Sequence, residues 1–300
     1  MNLIILSILF IKIFCNLRPS SEPYITGDAF RNLANHKLDA EYINKYKMNP
    51  QKYEQILDFN PHDVKDNDIV FVDSRAYKHF FENIFPHINS KFILISNNSD
   101  FSSPGKYINE LYDKKIIHWF GTNPSMKNND KFTSLPLGIL NRNHHWTSKN
   151  CAAIIEETYQ KNKDKNRKIF CYSNFTVHKI RKKIYKEIKD KKFIYWQSRK
   201  PEEKFYYDLV QSHFTLSPIG GGLDCFRTWE ALYLRSIPVV ITSYLDELFE
   251  DLPVVILQNW KQLNQDLLNQ KLHEFQNKNW NWDKLTFSYW KKLILSKKIS

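Results

Sequence analysis

The chain has 300 residues, 42% hydrophobic and 15% aromatic, enough apolar material for a sizeable core, which excludes a largely disordered protein. Its 44 Lys and Arg outweigh 32 Asp and Glu, and the resulting +12 suits an anionic partner: nucleic acid, a phosphorylated sugar donor or an acidic lipid surface. The lysines read as scattered, and the densest run, Lys161 to Lys168, interleaves Asn and Asp as a solvated linker does.

The chain opens on an apolar run, Leu3 to Phe14, interrupted by Ser7 and Lys12 and followed by Arg18-Pro19-Ser20-Ser21. The run is short for a membrane span, so residues 1–20 read as a signal peptide or weak membrane anchor, although no basic residue precedes Leu3. That reading places the protein in the secretory pathway, exported or membrane-associated through its N-terminus. A buried or disordered leader is the alternative. Apolar strands then alternate with helical patterns: Ile69 to Val72, a helix over 75–85, Phe92 to Ser96, Ile116 to Phe120 and Ser134 to Leu140. A helical patch over 152–159 lies in a polar connection. The second series runs through strand Lys168 to Tyr172, helix Val177 to Lys189, strand Phe193 to Trp196, helix Glu202 to Ser212, strand His213 to Leu216 and strand Val254 to Leu257. Trp260, Leu263, Leu267 and Leu268, and later Leu285, Tyr289 and Leu293, recur at helical spacing and predict core-facing stripes. The economical architecture is α/β, two Rossmann-like domains facing a cleft: residues 21–160, residues 161–275, and a C-terminal helix over 276–300.

Cys15, Cys151, Cys171 and Cys225 show neither zinc spacing nor a disulfide scaffold and read as buried thiols. An oxidising compartment would permit a Cys151–Cys171 bridge. Asn97-Asn98-Ser99 and Asn174-Phe175-Thr176 match the glycosylation sequon. The His144-His145-Trp146 triplet reads as loop, because adjacent side chains diverge and seldom share one ion.

The most informative segment is Ser217 to Val240, SPIGGGLDCFRTWEALYLRSIPVV: a strand end, a glycine-rich turn, a helix from about Asp224 and an apolar strand. Gly220, Gly221 and Gly222 let backbone N–H groups approach a phosphate, and the helix start directs its positive end at the same spot. The turn follows Ser217 at the carboxyl end of a parallel strand, where open α/β sheets bind ligands. Asp224 reads as the N-cap. Arg227 and Glu230 share a helix face and predict a buried pair, a guanidinium for a diphosphate and a carboxylate for ribose hydroxyls. The competing reading is an exposed intrahelical ion pair worth about 0.3 kcal/mol. Trp229, Leu232 and Tyr233 on the opposite arc favour burial.

This segment, with Asp251-Leu252-Pro253-Val254-Val255 and Asn259-Trp260, resembles the C-terminal half of exostosin-like glycosyltransferases. Thr26-Gly27-Asp28-Ala29-Phe30-Arg31, Asp68 to Val72, Ile93 to Asp100 and Leu135 to Ile139 are similar to N-terminal segments of bacterial and viral members, so the resemblance spans most of residues 24–260. It implies a GT-B fold and an inverting transfer of sugar from a nucleotide diphosphate sugar, a UDP-sugar above all, to a glycan hydroxyl. The donor would be held by the second half, with Glu230 at the ribose and Arg227 at the diphosphate. Ser173 and Arg181 match further donor-side positions, Arg181 being equally readable as part of a lysine-rich exposed face. Arg235 stands where the family has glycine, at a cost of about 1 kcal/mol if the helix ends in a left-handed residue. An inverting transfer needs a base, for which Asp100 and Asp28 are the candidates. No cofactor or metal is expected beyond the donor, since no paired-Asp metal motif stands out. Two rivals stay open: a carbohydrate- or nucleotide-binding protein without catalysis, and a nucleic-acid-binding protein, which lacks any recognisable nucleic-acid motif.

Overall fold

The computed structural model describes residues 18–41, 55–57, 59–142, 149–178, 180–198 and 200–299. The apolar leader with Cys15 and the His144-His145-Trp146 triplet lie outside the described residues. No helix among the described residues is long and apolar enough to cross a membrane.

The first half begins with α1 (Gly27–Leu33), opened by the Thr26 side chain accepting from Ala29 N–H. Its six-stranded sheet consists of β1 (His36–Glu41), β2 (Gln55–Leu57), β3 (Ile69–Asp73), β4 (Phe92–Asn97), β5 (Ile116–Gly121) and β6 (Phe132–Ser134), in the order β2-β1-β3-β4-β5-β6. Every pairing is parallel except β1 with β2. β3 and β4 are buried at every residue, the pattern of central parallel strands covered on both faces. The helix expected over 75–85 is a passage of successive 3-10, α and π turns from Ser74 to His87. The strand expected over 134–140 stops at Ser134. Pro136 removes a ladder donor, and Gly138 has φ +72° with the carbonyl of Ile25 only 2.1 Å from where a Cβ would stand.

In the second half, α2 being the short turn Ile108–Leu111, the chain continues through α3 (Cys151–Asn162), β7 (Ile169–Ser173), α4 (Arg181–Ile188), β8 (Ile194–Trp196), α5 (Glu202–Val210), β9 (Ser212–Leu216), α6 (Phe226–Tyr233), β10 (Ile237–Ile241), β11 (Val255–Leu257), α7 (Gln265–Gln276) and α8 (Phe287–Leu295). The five strands are all parallel, in the order β11-β10-β9-β7-β8. Two α/β sheets, the first parallel except for β1 with β2 and the second wholly parallel, thus face one another through loops at their carboxyl ends, the two-Rossmann arrangement expected. One apolar core crosses between the halves, uniting Phe71, Ile95 and Phe120 with Trp229, Leu232 and Phe249. α8 joins it from the far end of the chain, with the Phe287 ring 5.5 Å from that of Phe30 and its N–H bonded to Pro23 O.

Cys151, Cys171 and Cys225 are free thiols; Cys151 on α3 and Cys171 on β7 pack in different apolar clusters, so the Cys151–Cys171 bridge is not formed. Both sequon asparagines are buried, Asn97 at the end of β4 and Asn174 after β7. A glycan on either would have no room in this fold.

α6 ends in the left-handed geometry expected, with Arg235 at φ 60°. Ser236 N–H bonds Ala231 O and Arg235 N–H bonds Leu232 O, which closes the helix as a Schellman motif. An arginine is tolerated there because its guanidinium lies over the Trp282 ring, 3.5 Å from the centroid. Arg235→Ala keeps the backbone strain and loses the ring contact, so a destabilisation of about 1 kcal/mol is expected. Arg235→Gly relieves the strain while losing the same contact and is expected to be the more stable variant, an ordering that denaturant unfolding reads directly.

Candidate functional site

The site forms where the loop 217–225 leaves β9 and enters α6. Ser217 anchors its start: the N–H bonds Val239 O and the hydroxyl lies 2.8 Å from Thr228 Oγ1 on α6. Arg181, at the start of α4, grips the loop from behind, donating Nε to Ile219 O (2.8 Å) and Nη2 to Pro218 O (3.2 Å). Ser217 and Arg181 are thus already engaged with the loop and with α6. Both shape the loop.

The glycines serve close approach rather than an unusual backbone, since none of the three has positive φ. At Gly221 a Cβ would stand 2.1 Å from Asp100 Oδ2, and at Gly222 one would stand 2.7 Å from Asn123 Oδ1. Asp100 and Asn123 both belong to the first half, so the triple glycine is what lets the two halves meet.

Asp224 departs from its expected place. The helix begins one residue later, with Cys225 as an N-cap that makes no side-chain bond. The buried Asp224 carboxylate instead accepts from Leu137 N–H (2.8 Å), from the Trp229 indole (2.8 Å) and from Cys225 N–H (2.8 Å). Its own N–H donates to Asn123 Oδ1 at 2.8 Å, and Asn123 Nδ2 donates to Ser99 O. Asp224 ties the halves together and is not turned to a ligand. Burial raises its carboxyl to about 6 against these hydrogen bonds, which favour the charged form.

Arg227 and Glu230 share a face of α6 but form no salt bridge. Glu230, 5% exposed, accepts from the Tyr206 hydroxyl at 2.9 Å, and burial pushes its carboxyl up to about 7 while the Tyr206 bond and the Arg227 charge pull the other way. Arg227, half-buried, makes no hydrogen bond and no ion pair among the described residues, and its Nε is shut off from water. Burial lowers its affinity for the proton, and the nearby Arg181 charge adds to the effect; Cys225 and Glu230 oppose it. The expected buried ion pair is thus replaced by a carboxyl held by a phenol and a guanidinium that no described residue holds.

Two more buried hydroxyls at the carboxyl end of β7, those of Tyr172 and Ser173, are without partners, and Tyr172 feels the Arg227 charge. Folded proteins leave few such atoms, and ordered water or a polar ligand ordinarily satisfies them. At the carboxyl ends of the first sheet, Asn97 Nδ2, Thr122 Oγ1 and Ser134 Oγ are likewise buried and unpaired.

The two candidate bases differ sharply. Asp100 is exposed and lies against Gly221 across the seam. Asp28, 3% exposed, sits in the first turn of α1 with its carboxylate 3.5 Å from Arg18, in a network that includes the Arg31–Asp39 pair (2.6 Å). It belongs to the packing of α1 on β1. No group of three or more metal-ligating side chains occurs among the described residues.

Tyr206, Tyr172 and Asn123 were not legible as site residues. Tyr206 looks in sequence like any inward aromatic of an amphipathic helix, and its partner lies 24 residues away. Asn123, with φ 52°, follows a strand end as Asn98, with φ 66°, follows another, and an asparagine just past an apolar strand was the one available signal.

Residues 157–294 match the family model described as the RXYLT1 C-terminal domain. No curated protein matches the chain. Among solved structures, the UDP-GlcNAc 2-epimerase of Methanocaldococcus jannaschii is similar at 13% identity over 76% of this chain and 76% of that one, with a TM-score of 0.35. A chain of the GtfA/B complex is similar at 10% identity over 79% of this chain and 55% of that one, with a TM-score of 0.32.

Proposed function

We propose that this protein is a glycosyltransferase that moves a sugar from a nucleotide diphosphate sugar, a UDP-sugar, to a hydroxyl of a glycan acceptor with inversion. The observation that carries the reading is Arg227, a half-buried cation without a partner among the described residues, close to Arg181 and on the same helix face as Glu230, a carboxyl poised near neutrality. A diphosphate supplies the anion that Arg227 lacks, by paired hydrogen bonds to the guanidinium fork. Glu230, ionised, accepts the two ribose hydroxyls, and the Ser173 hydroxyl is available beside them. The match of residues 157–294 to the RXYLT1 C-terminal domain, an exostosin-related glycosyltransferase family, supports this assignment for the second half.

The acceptor is assigned to the first half, residues 21–160, and the donor to residues 161–275. Asp100 is the base, since it is exposed at the seam whereas Asp28 is enclosed by Arg18. It removes the proton from the acceptor hydroxyl as the leaving diphosphate is stabilised by Arg227 and the start of α6. A thermal-shift panel of UDP, GDP and CMP sugars tests the donor assignment: UDP-sugars are expected to raise the melting temperature most. If no nucleotide stabilises the protein, the reading fails. Asp100→Asn is expected to keep that stabilisation while losing transfer, which separates an enzyme from a binding protein without catalysis.

Because burial holds the Glu230 carboxyl at about 7, donor affinity is expected to rise with pH through that value as the group ionises, then level off. Tyr206→Phe removes the hydroxyl bond that favours the ionised form, so the rise is expected to move upward by about one pH unit. Isothermal titration of UDP from pH 6 to 9, an interval chosen to bracket a carboxyl at about 7, reads the shift.

A further inference from the structure

The positive charge is concentrated rather than scattered. Residues 161–200 hold 15 Lys and Arg against 3 Asp and Glu, a net +12 equal to that of the whole chain, so the other 260 residues, with 29 of each sign, are neutral. This segment contains the end of α3, β7, α4 and β8, and β8 is the outermost strand of its sheet.

Within it, α4 is two-sided. Ile184 and Ile188 are buried against Trp260 and Leu263, while Lys182, Lys183 and Lys186 are exposed and enter no salt bridge among the described residues. Glu187 is the single acidic residue on the helix, and Lys189 is paired only with its surface neighbour Asp190. Ile180, which caps the helix start, is 59% exposed. The two described arginines of the segment are turned inward: Arg181 holds the carbonyls of Pro218 and Ile219, and Arg167 holds those of Val210, Ser212 and Leu234. What remains outside is a row of point charges beside an aliphatic side chain. No outward guanidinium, the fork that nucleic-acid surfaces use, occurs among the segment's described residues, and its exposed ring, Tyr195, stands on β8 rather than on α4.

We propose that the outer face of α4 docks on an anionic lipid surface. Lysines attract the negative headgroups, and Ile180 enters the interface, which is the combination that peripheral membrane helices present. The contact also has a direction. α4 starts at the loop 217–225, so docking along it sets the mouth of the seam beside the membrane. The inference holds whichever reaction the seam performs.

Co-sedimentation of the full chain with phosphatidylcholine vesicles, with and without phosphatidylserine, tests it. Binding to the anionic vesicles is expected to fall with salt, and the combined variant Lys182→Gln, Lys183→Gln, Lys186→Gln is expected to bind them about a hundredfold more weakly, at roughly fivefold per lysine. The apolar leader would bind both vesicle types alike and so does not mimic this result. Circular dichroism and UDP stabilisation of the variant, both expected unchanged, show that the fold is intact. Equal binding of wild type to neutral and anionic vesicles, or undiminished binding by the variant, overturns the proposal. So does a single-stranded polynucleotide that binds as tightly as the vesicles and is lost in the same variant.

Discussion

Replacing Arg227 with alanine is expected to weaken UDP binding about a hundredfold or more while leaving the melting temperature unchanged or slightly raised. The two halves of this expectation have one cause. Arg227 has no partner among the described residues, and its Nε is buried and unsatisfied, so the native state carries part of its desolvation without return. Alanine relieves that. In the complex the same guanidinium makes charge-assisted bonds to phosphate oxygens in a partly dehydrated site, where truncation costs about 2–5 kcal/mol. A structural arginine behaves in the opposite way, as Arg181 is expected to: it bonds two loop carbonyls, and its loss disorders the loop and lowers stability and affinity together. Nucleotide titration calorimetry together with thermal unfolding of Arg227→Ala separates the cases. A drop in stability with intact affinity would make Arg227 a packing residue.

The second large effect is at Asp224. Its carboxylate satisfies the N–H of Leu137, in the first half, and the indole of Trp229, at the centre of the shared core. Asp224→Ala leaves both donors buried and unpaired, at about 1–3 kcal/mol each, so a loss of about 3–5 kcal/mol is expected in denaturant unfolding. With the carboxylate's bond to Leu137 lost, the seam should loosen and donor affinity should fall secondarily, although the residue 224 N–H can still donate to Asn123 Oδ1. Asp224→Asn keeps one acceptor and is expected to fall between alanine and wild type. A variant as stable as wild type would mean that the halves are held by the apolar core alone.

These expectations show where sequence was informative and where it was not. The central strands were legible because fully buried parallel strands such as Ile69 to Val72 are continuous apolar runs, and α6 was legible because Trp229, Leu232 and Glu230 stand at helical spacing. β1 and β2 escaped, as did α1: β1 reads HKLDAE, with only Leu38 and Ala40 as buried apolar residues, and its buried Asp39 is satisfied by Arg31, a partner that local pattern does not reveal. The glycine-rich turn was recognised, but not that it also seats side chains of the first half. Gly221 and Gly222 admit Asp100 and Asn123, side chains far away in sequence, and no local pattern predicts that encounter. For the same reason Asp224 looked like a helix cap when it is a tie between halves, and Arg227 and Glu230 looked like a pair when Tyr206 occupies one member. Local spacing selects residues that share a face. Only the packed structure decides which partner each receives.

The central claim is that Arg227 awaits a diphosphate. Titrating UDP and UMP into wild type and Arg227→Ala tests it most directly, since the two ligands share the base and the ribose and differ by one phosphate. Wild type is expected to prefer UDP by about a hundredfold, and the variant to bind both at nearly the same weak affinity. If Arg227→Ala keeps the preference for UDP, the guanidinium does not hold the diphosphate and the donor site lies elsewhere.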